Sequence, residues 1–168
     1  MLQLLTARRS FSDLKLPLAV VAVDLISGEK VILREGPVAR AVRASCAIPG
    51  IFSPVKVGPQ VLVDGGVLQR VPASVVSEMG AAPVIAVDVG TNMGDYKLDH
   101  IFGVLSRSIE IMSRKIQQAQ EKDADLLVVP RVDDIGSYDF QCVEKAISRG
   151  EAAMHQQLPL LFNYMKEG

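Results

Sequence analysis

The sequence contains no tryptophan, three tyrosines and five phenylalanines, so aromatic residues make up only 5% of its 168 residues. A chain this poor in aromatics offers no platform on which bases could stack. It also lacks an excess of either charge. Eighteen Lys and Arg stand against 19 Asp and Glu, for a net charge of −1, and no basic run occurs. Together these absences argue against a nucleic-acid partner. Cysteine is scarce as well. Cys46 and Cys142 lie far apart, with neither CxxC nor metal-ligand spacing. A disulfide framework and a zinc site are therefore not expected, and a reducing cytoplasm is the simplest setting. Cys46 sits in an Ala-rich segment and is expected to be buried, where free thiols are usually inert. No apolar run approaches the roughly 20 residues that span a bilayer. The opening MLQLLTARRS places its arginines after a short apolar run, the reverse of a signal peptide. The expectation is a soluble or at most peripheral protein, without repeats or low-complexity tracts.

What is present is an ordinary globular composition, 49% hydrophobic and 22% charged, enough for one domain with a core. The chain is organised around Ala41–Gly66, which ends in Asp64-Gly65-Gly66. The apolar run Val61-Leu62-Val63 reads as a strand, so Asp64 should stand at its C-terminal edge, where open α/β sheets place ligands. The glycines permit positive φ and close approach of other groups to the carboxylate. The alternative is an ordinary turn, since Asp-Gly is among the commonest turn dipeptides.

The remaining pattern alternates strands and helices. Met1–Arg9 resembles the end of a helix, followed by a loop over Ser10–Pro17. Leu18–Leu25 and Lys30–Leu33 read as strands joined by the turn Ser27-Gly28-Glu29, a hairpin. Gly36-Pro37 opens a helix over Val38 to about Cys46. Val38, Ala41, Val42 and Ser45 share one face of it, leaving Arg40 and Arg43 on the other. Those arginines either face water, the commoner arrangement, or meet anionic headgroups. Ile51–Val57 is extended, Ala73–Met79 is a helix closed by Gly80, and Pro83–Val89 and Ala124–Pro130 read as buried parallel strands. Asp88, before Gly90, is a rival for the catalytic carboxylate. The VIAVDVG segment hints at a Rossmann-like nucleotide binder, but no glycine-rich loop precedes a helix there. Thr91–Asp99 is a polar loop. Ile101, Leu105, Ile109, Met112, Ile116 and Ala119 recur at helical spacing, with Met112 as core filler, and a last helix runs from about Phe140 past Pro159. Its end, LPLLFNYM, is expected to pack on the sheet, a lipid surface being the alternative. The alternation predicts an α/β fold with a mainly parallel sheet.

Five segments in order, FSDLKLPLAVVAVDLISGE, AVRASCAIPGIFSPV, LVDGGVLQRVPASVVSEMGA, PVIAVDVG and ADLLVVPRVDDIGSYDF with EKAISRGEAA, resemble the C-terminal two-thirds of a bacterial patatin-like phospholipase of the neuropathy target esterase-related branch. The resemblance implies a three-layer α/β fold and a serine acyl hydrolase that uses a Ser–Asp dyad without histidine, metal or cofactor. The serine of that family lies in a GxSxG elbow, and a glycine-rich loop forms its oxyanion hole. The resemblance assigns Asp64 as the catalytic aspartate, with Gly65 and Gly66 completing the motif. Asp64 would then accept the serine proton and return it to the leaving group.

The sequence departs from the family in two respects. It contains no GxSxG and no N-terminal glycine-rich loop. Ser45 is flanked by Arg43 and Ala47, and Ser27, Ser53, Ser137 and Ser148 likewise lack the glycine pair that a strained elbow needs. His100 and His155 belong to no recognisable constellation. The expectation is therefore a single incomplete domain over residues 1–168, missing its nucleophile-bearing part and inactive alone. Exposed apolar surface and unpaired edges are expected beside Leu18–Leu25 and Val61–Val63, open to oligomerisation or pairing. The expected substrate is a lipid or acyl ester, with peripheral membrane contact. The alternative is a non-catalytic lipid-binding or regulatory module.

Overall fold

In the computed structural model, residues 6–90, 99–120, 123–136 and 139–167 are described. Strand β1 (Val20–Asp24) is β-branched and almost wholly buried. After the turn at Gly28, held at φ +76° by its lack of a side chain, the chain returns as β2 (Lys30–Leu33). The two pair antiparallel, with Val20 opposite Leu33 and Val23 opposite Lys30. Helix α1 (Val38–Ser45) follows, then β3 (Val55–Val57) and β4 (Gln60–Asp64). The order across this four-stranded sheet is β2-β1-β4-β3.

The mixed α/β class is as expected from the sequence, but the strand direction is not. All three ladders of this sheet are antiparallel. The connections explain it: the turns at Gly28 and at Gly58-Pro59 are too short for the crossover that parallel neighbours need. The parallel pair is β5 (Ile85–Val87) with β6 (Leu126–Val128), whose connection contains helix α3 (Ile101–Gln120). Helix α2 (Ala73–Glu78) precedes β5 and ends at Gly80, which takes φ +85° as expected for the C-terminal residue. Helix α4 (Val143–Glu167) closes the chain. The described residues divide into two compact units, the first Met1–Arg70 with Leu105–Gln117, the second Val71–Val104 with Gln118–Gly168.

In the first unit, α1 lies on the sheet through alanines. Ala44 and Ala47 meet Ala22, Val55 and Leu62 in one buried cluster. Phe11, Val38 and Ala41 form another. Small side chains let the helix approach the strands closely. The buried face is Val38, Ala39, Ala41 and Ala44, one step from the predicted Val38–Ala41–Val42–Ser45 stripe, and Arg40 and Arg43 are exposed as predicted. In the second unit, Ala73, Val84 and Ala86 form the core, with Val71, Ala124 and Leu127 against them.

Several expectations are corrected. The flanks of β1 and β4 are not unpaired: β1 lies between β2 and β4, and β4 between β1 and β3. Exposed apolar surface does occur beside Leu18–Leu25, at Leu16, Leu18, Leu25 and Ile26, and it occurs also on β5, where Ile85 and Val87 are 42% and 52% exposed. Helix α3 turns a different face inward. Met112 is 56% exposed, as are Ile101 and Leu105 in large part, whereas Glu110 and Ser113 are buried. Glu110 is held there by Arg107, at 2.8 Å, and Arg114, at 3.0 Å, one turn away on either side. The C-terminal helix touches β6, but Leu160, Phe162 and Met165 remain exposed. Residues 6–8 form a turn, with Ala7 and Arg8 at positive φ, where a helix end was expected. Residues 1–5 and most of the predicted loop, 91–98, lie outside the described residues.

Leu62 is fully buried at the centre of the first unit's core. Leu62→Ala is expected to destabilise the protein by about 2–5 kcal/mol, measured by urea denaturation. A loss below about 1 kcal/mol would show that this sheet is not the core the rest rests on.

Candidate acid/base site at the end of strand β4

Two features of the sheet fix where Asp64 lies. At one end, Asp24 is buried at the close of β1, and its carboxylate reaches across to β4. Asp24 Oδ1 accepts the Val61 N–H at 2.9 Å and the Ile26 N–H at 3.2 Å, and Oδ2 accepts the Ser27 hydroxyl at 3.1 Å. The Val61 bond above all, with those of Ile26 and Ser27, draws the Asp24 carboxyl below the usual range, against the effect of burial. The sequence reading missed this residue. Its signal was there: a carboxylate ending an apolar strand immediately before a Gly turn.

At the other end, β4 runs into a 3-10 turn, Gly65–Val67, capped by Asp64 itself. Asp64 Oδ1 accepts the Gly66 N–H at 2.7 Å, and the Asp64 N–H donates to the Ala47 carbonyl at 3.1 Å. The two glycines are needed for space; neither takes positive φ. A Cβ on Gly65 would lie 2.5 Å from the Val21 carbonyl oxygen, and one on Gly66 would lie 2.9 Å from Asp64 Oδ1. The backbone thus crosses β1 in direct contact, and the carboxylate folds back over Gly66.

The electrostatics of Asp64 suit proton transfer. Partial burial pushes its carboxyl above the usual aspartate range, while the Gly66 N–H and the nearby Arg70 guanidinium oppose the shift. A raised carboxyl is a better proton acceptor near neutrality than an ordinary one. Cys46 is close enough to feel Asp64. Desolvation and then the Asp64 charge raise its thiol pKa, which makes it a poor nucleophile. Contrary to expectation, Cys46 is exposed, turned away from the sheet against which Ala44 and Ala47 on either side of it are buried.

The other candidates stand apart. Asp88, in the second unit, follows β5 and accepts the Gly90 N–H at 2.8 Å, an ordinary Asx turn. His100 Nδ1 accepts the Gly103 N–H at 2.9 Å, which caps the start of α3. His155 is exposed on α4. Ser27 is engaged by Asp24 and by the Glu29 N–H at 3.2 Å. Among the described residues, no group of three or more His, Cys, Asp or Glu side chains could hold a metal ion, and no helix is long and apolar enough to cross a membrane. The two late sequence segments meet in the second unit, where Arg149 pairs with Asp134 and donates to the Arg131 carbonyl at 2.6 Å, and Lys145 reaches Asp134 at 2.6 Å. These pairs are exposed and serve to tie α4 to the loop after β6.

Residues 5–77, which include Asp64, match the family model described as Patatin-like phospholipase. An uncharacterized NTE family protein of Mycobacterium tuberculosis is 29% identical over 163 residues, covering 82% of this chain and 28% of its own length. An uncharacterized protein of Bacillus subtilis is 31% identical over 159 residues, covering 82% of this chain and 54% of its own. Patatin-like phospholipase domain-containing protein 7 of Rattus norvegicus is 37% identical over 97 residues, 52% of this chain and 7% of its own. The chain thus spans about a quarter to a half of the first two relatives' length.

Two predictions follow from the geometry. Gly65→Ala must move the β1 backbone and is expected to lose about 1–3 kcal/mol of stability, whereas Gly66→Ala, which meets only a side-chain oxygen, loses less; equal losses in chemical denaturation would contradict the assigned contacts. The raised Asp64 carboxyl means that the folded state favours the protonated form. That contribution is complete below the ordinary aspartate range and disappears as pH rises through the raised value. Asp64→Asn, whose amide oxygen can still accept the Gly66 N–H, is therefore expected to melt no lower than the wild type at pH 7, and its relative advantage should vanish near pH 4. A lower melting temperature at pH 7 would refute the desolvated carboxylate.

Proposed function

We propose that this chain, which belongs with the patatin-like phospholipases of the NTE family, is the acid/base-bearing part of a serine acyl hydrolase for lipid or lysophospholipid esters. The observation that carries the reading is Asp64: a half-buried carboxylate at a strand end, clamped by Gly66 N–H, within the family-matched residues. In the complete reaction Asp64 would take the proton from a serine hydroxyl as that oxygen attacks the ester carbonyl. It would return the proton to the departing alcohol oxygen as the C–O bond breaks. A water, deprotonated in the same way, would then release the acid from the acyl-serine.

The nucleophile of this reading is not among the serines of this chain, none of which has the GxSxG flanks, and no glycine-rich oxyanion loop is present in its sequence. Nucleophile and oxyanion hole supply most of the rate enhancement in such enzymes. The 168-residue chain is accordingly read as one incomplete patatin-like domain of a cytoplasmic protein, without turnover of its own and without need of metal or cofactor. A second reading, a non-catalytic module that pairs with another polypeptide, draws support from the exposed Ile85 and Val87 on β5 and the exposed Ile101, Leu105 and Met112 on α3.

The test has two parts. The purified chain is expected not to hydrolyse a short-chain p-nitrophenyl ester; turnover lost on Asp64→Asn would overturn its assigned inactivity. Genomic sequence upstream of Met1 is expected to encode an in-frame or frameshifted GxSxG. A protein extended to include it should hydrolyse the ester and lose about 10²–10⁴-fold in rate on Asp64→Asn. Upstream sequence without that motif would favour the non-catalytic module, and an extended, active protein indifferent to Asp64→Asn would contradict the role of the aspartate.

A further inference from the structure

The first unit carries a groove of about 1560 Å³ whose lining includes Arg8, Arg9, Arg40, Arg43 and Lys56 and, among the described residues, no acidic side chain. In a chain of net charge −1 this is a marked segregation of charge. Arg40 donates to the Lys56 carbonyl at 2.7 Å, which holds α1 and β3 together and sets the cations side by side. The Lys and Arg ion pairs among the described residues involve Arg107, Arg114, Lys145 and Arg149, and none of the five cations of the groove. Phe52 also lines the groove and is 57% exposed, and its neighbour Ile51 is 45% exposed.

We infer that this groove is a docking surface for an anionic lipid bilayer, with the cations taking phosphate headgroups and Phe52 entering the acyl boundary. Charge complementarity selects an anionic partner. The exposed phenyl and isoleucine select a lipid surface over a soluble anion, which would satisfy the cations but leave the apolar side chains in water. The placement also fits the neighbouring site. Cys46 and Ala47 line the same groove, and the Ala47 carbonyl accepts the Asp64 N–H. Docking would thus bring lipid beside the carboxylate, though binding itself needs no turnover.

The experiment is co-sedimentation of the full chain with vesicles of phosphatidylcholine alone and with about 30 mol% phosphatidylglycerol, subtracting protein that pellets without vesicles. Binding to the anionic vesicles should be at least about tenfold stronger and should be lost in about 1 M NaCl, where the screening length is about 3 Å. Arg43→Gln with Lys56→Gln should weaken it by roughly tenfold or more, and Phe52→Ser should weaken it at low salt, where the wild type binds. Arg8→Gln with Arg9→Gln provides an independent pair, and circular dichroism melts verify the fold of each variant. Asp64→Asn should bind as the wild type does, which separates this inference from the proposed hydrolase role. Absence of binding, equal binding to neutral vesicles, or folded double variants that bind normally would overturn the docking surface. Release by millimolar inorganic phosphate, beyond that caused by chloride at matched ionic strength, would assign the groove to a soluble anion and overturn it equally.

Discussion

The first unit depends on the contact between β1 and β4, which is locked at both ends by groups that tolerate little change. At one end the Asp24 carboxylate replaces a missing strand partner for the Val61 N–H. At the other, the backbone at Gly65 passes so close to the Val21 carbonyl that no side chain fits. Between them, Ala22 stands opposite Asp64 and Asp24 opposite Leu62, with Leu62 driven into the core. Asp64 is therefore placed by backbone geometry and burial, and its own Gly66 bond only sets the direction of the carboxylate. A proton-transfer group gains from this kind of support, because its position does not rest on flexible side chains.

That support also accounts for the chemistry of the carboxylate. Asp24 and Asp64 are two aspartates at the ends of neighbouring strands, yet their acidities move in opposite directions. Asp24 collects three donors and is drawn down. Asp64 has one backbone donor and the Arg70 charge, too little to offset its desolvation, and is pushed up. The first becomes a structural anion and the second a group able to exchange a proton.

The sequence made much of this legible. The β1–β2 hairpin, α1, the β4 strand end and the Gly80 stop are all written in local patterns of β-branching, turn glycines and helical spacing. The Asp64-Gly65-Gly66 motif could be singled out because an apolar strand ends on it. What could not be read was long-range. Strand direction follows from connection lengths together with which strands meet: the β1–β2 hairpin and the parallel β5–β6 pair were legible, but the antiparallel pairing of β4 with β1 and β3, which makes three of the four ladders antiparallel, was not. The apolar stripe of α3 was real in the sequence, but the helix buries Glu110 and Ser113 instead, because burial depends on what lies against the helix and not on its periodicity alone. The reach of Asp24 to Val61 and the joining of Arg8 and Arg9 with Arg43 and Lys56 in one groove could not be read for the same reason: each brings together residues distant in the chain.

The central claim is that this fold holds Asp64 as a desolvated proton acceptor. The most direct measurement is an NMR titration of the Asp64 side-chain carboxyl in the intact chain, assigned by comparison with Asp64→Asn. The account predicts a titration midpoint above the ordinary aspartate range, with Asp24 titrating below it. A midpoint for Asp64 at or below that of an exposed aspartate would contradict it.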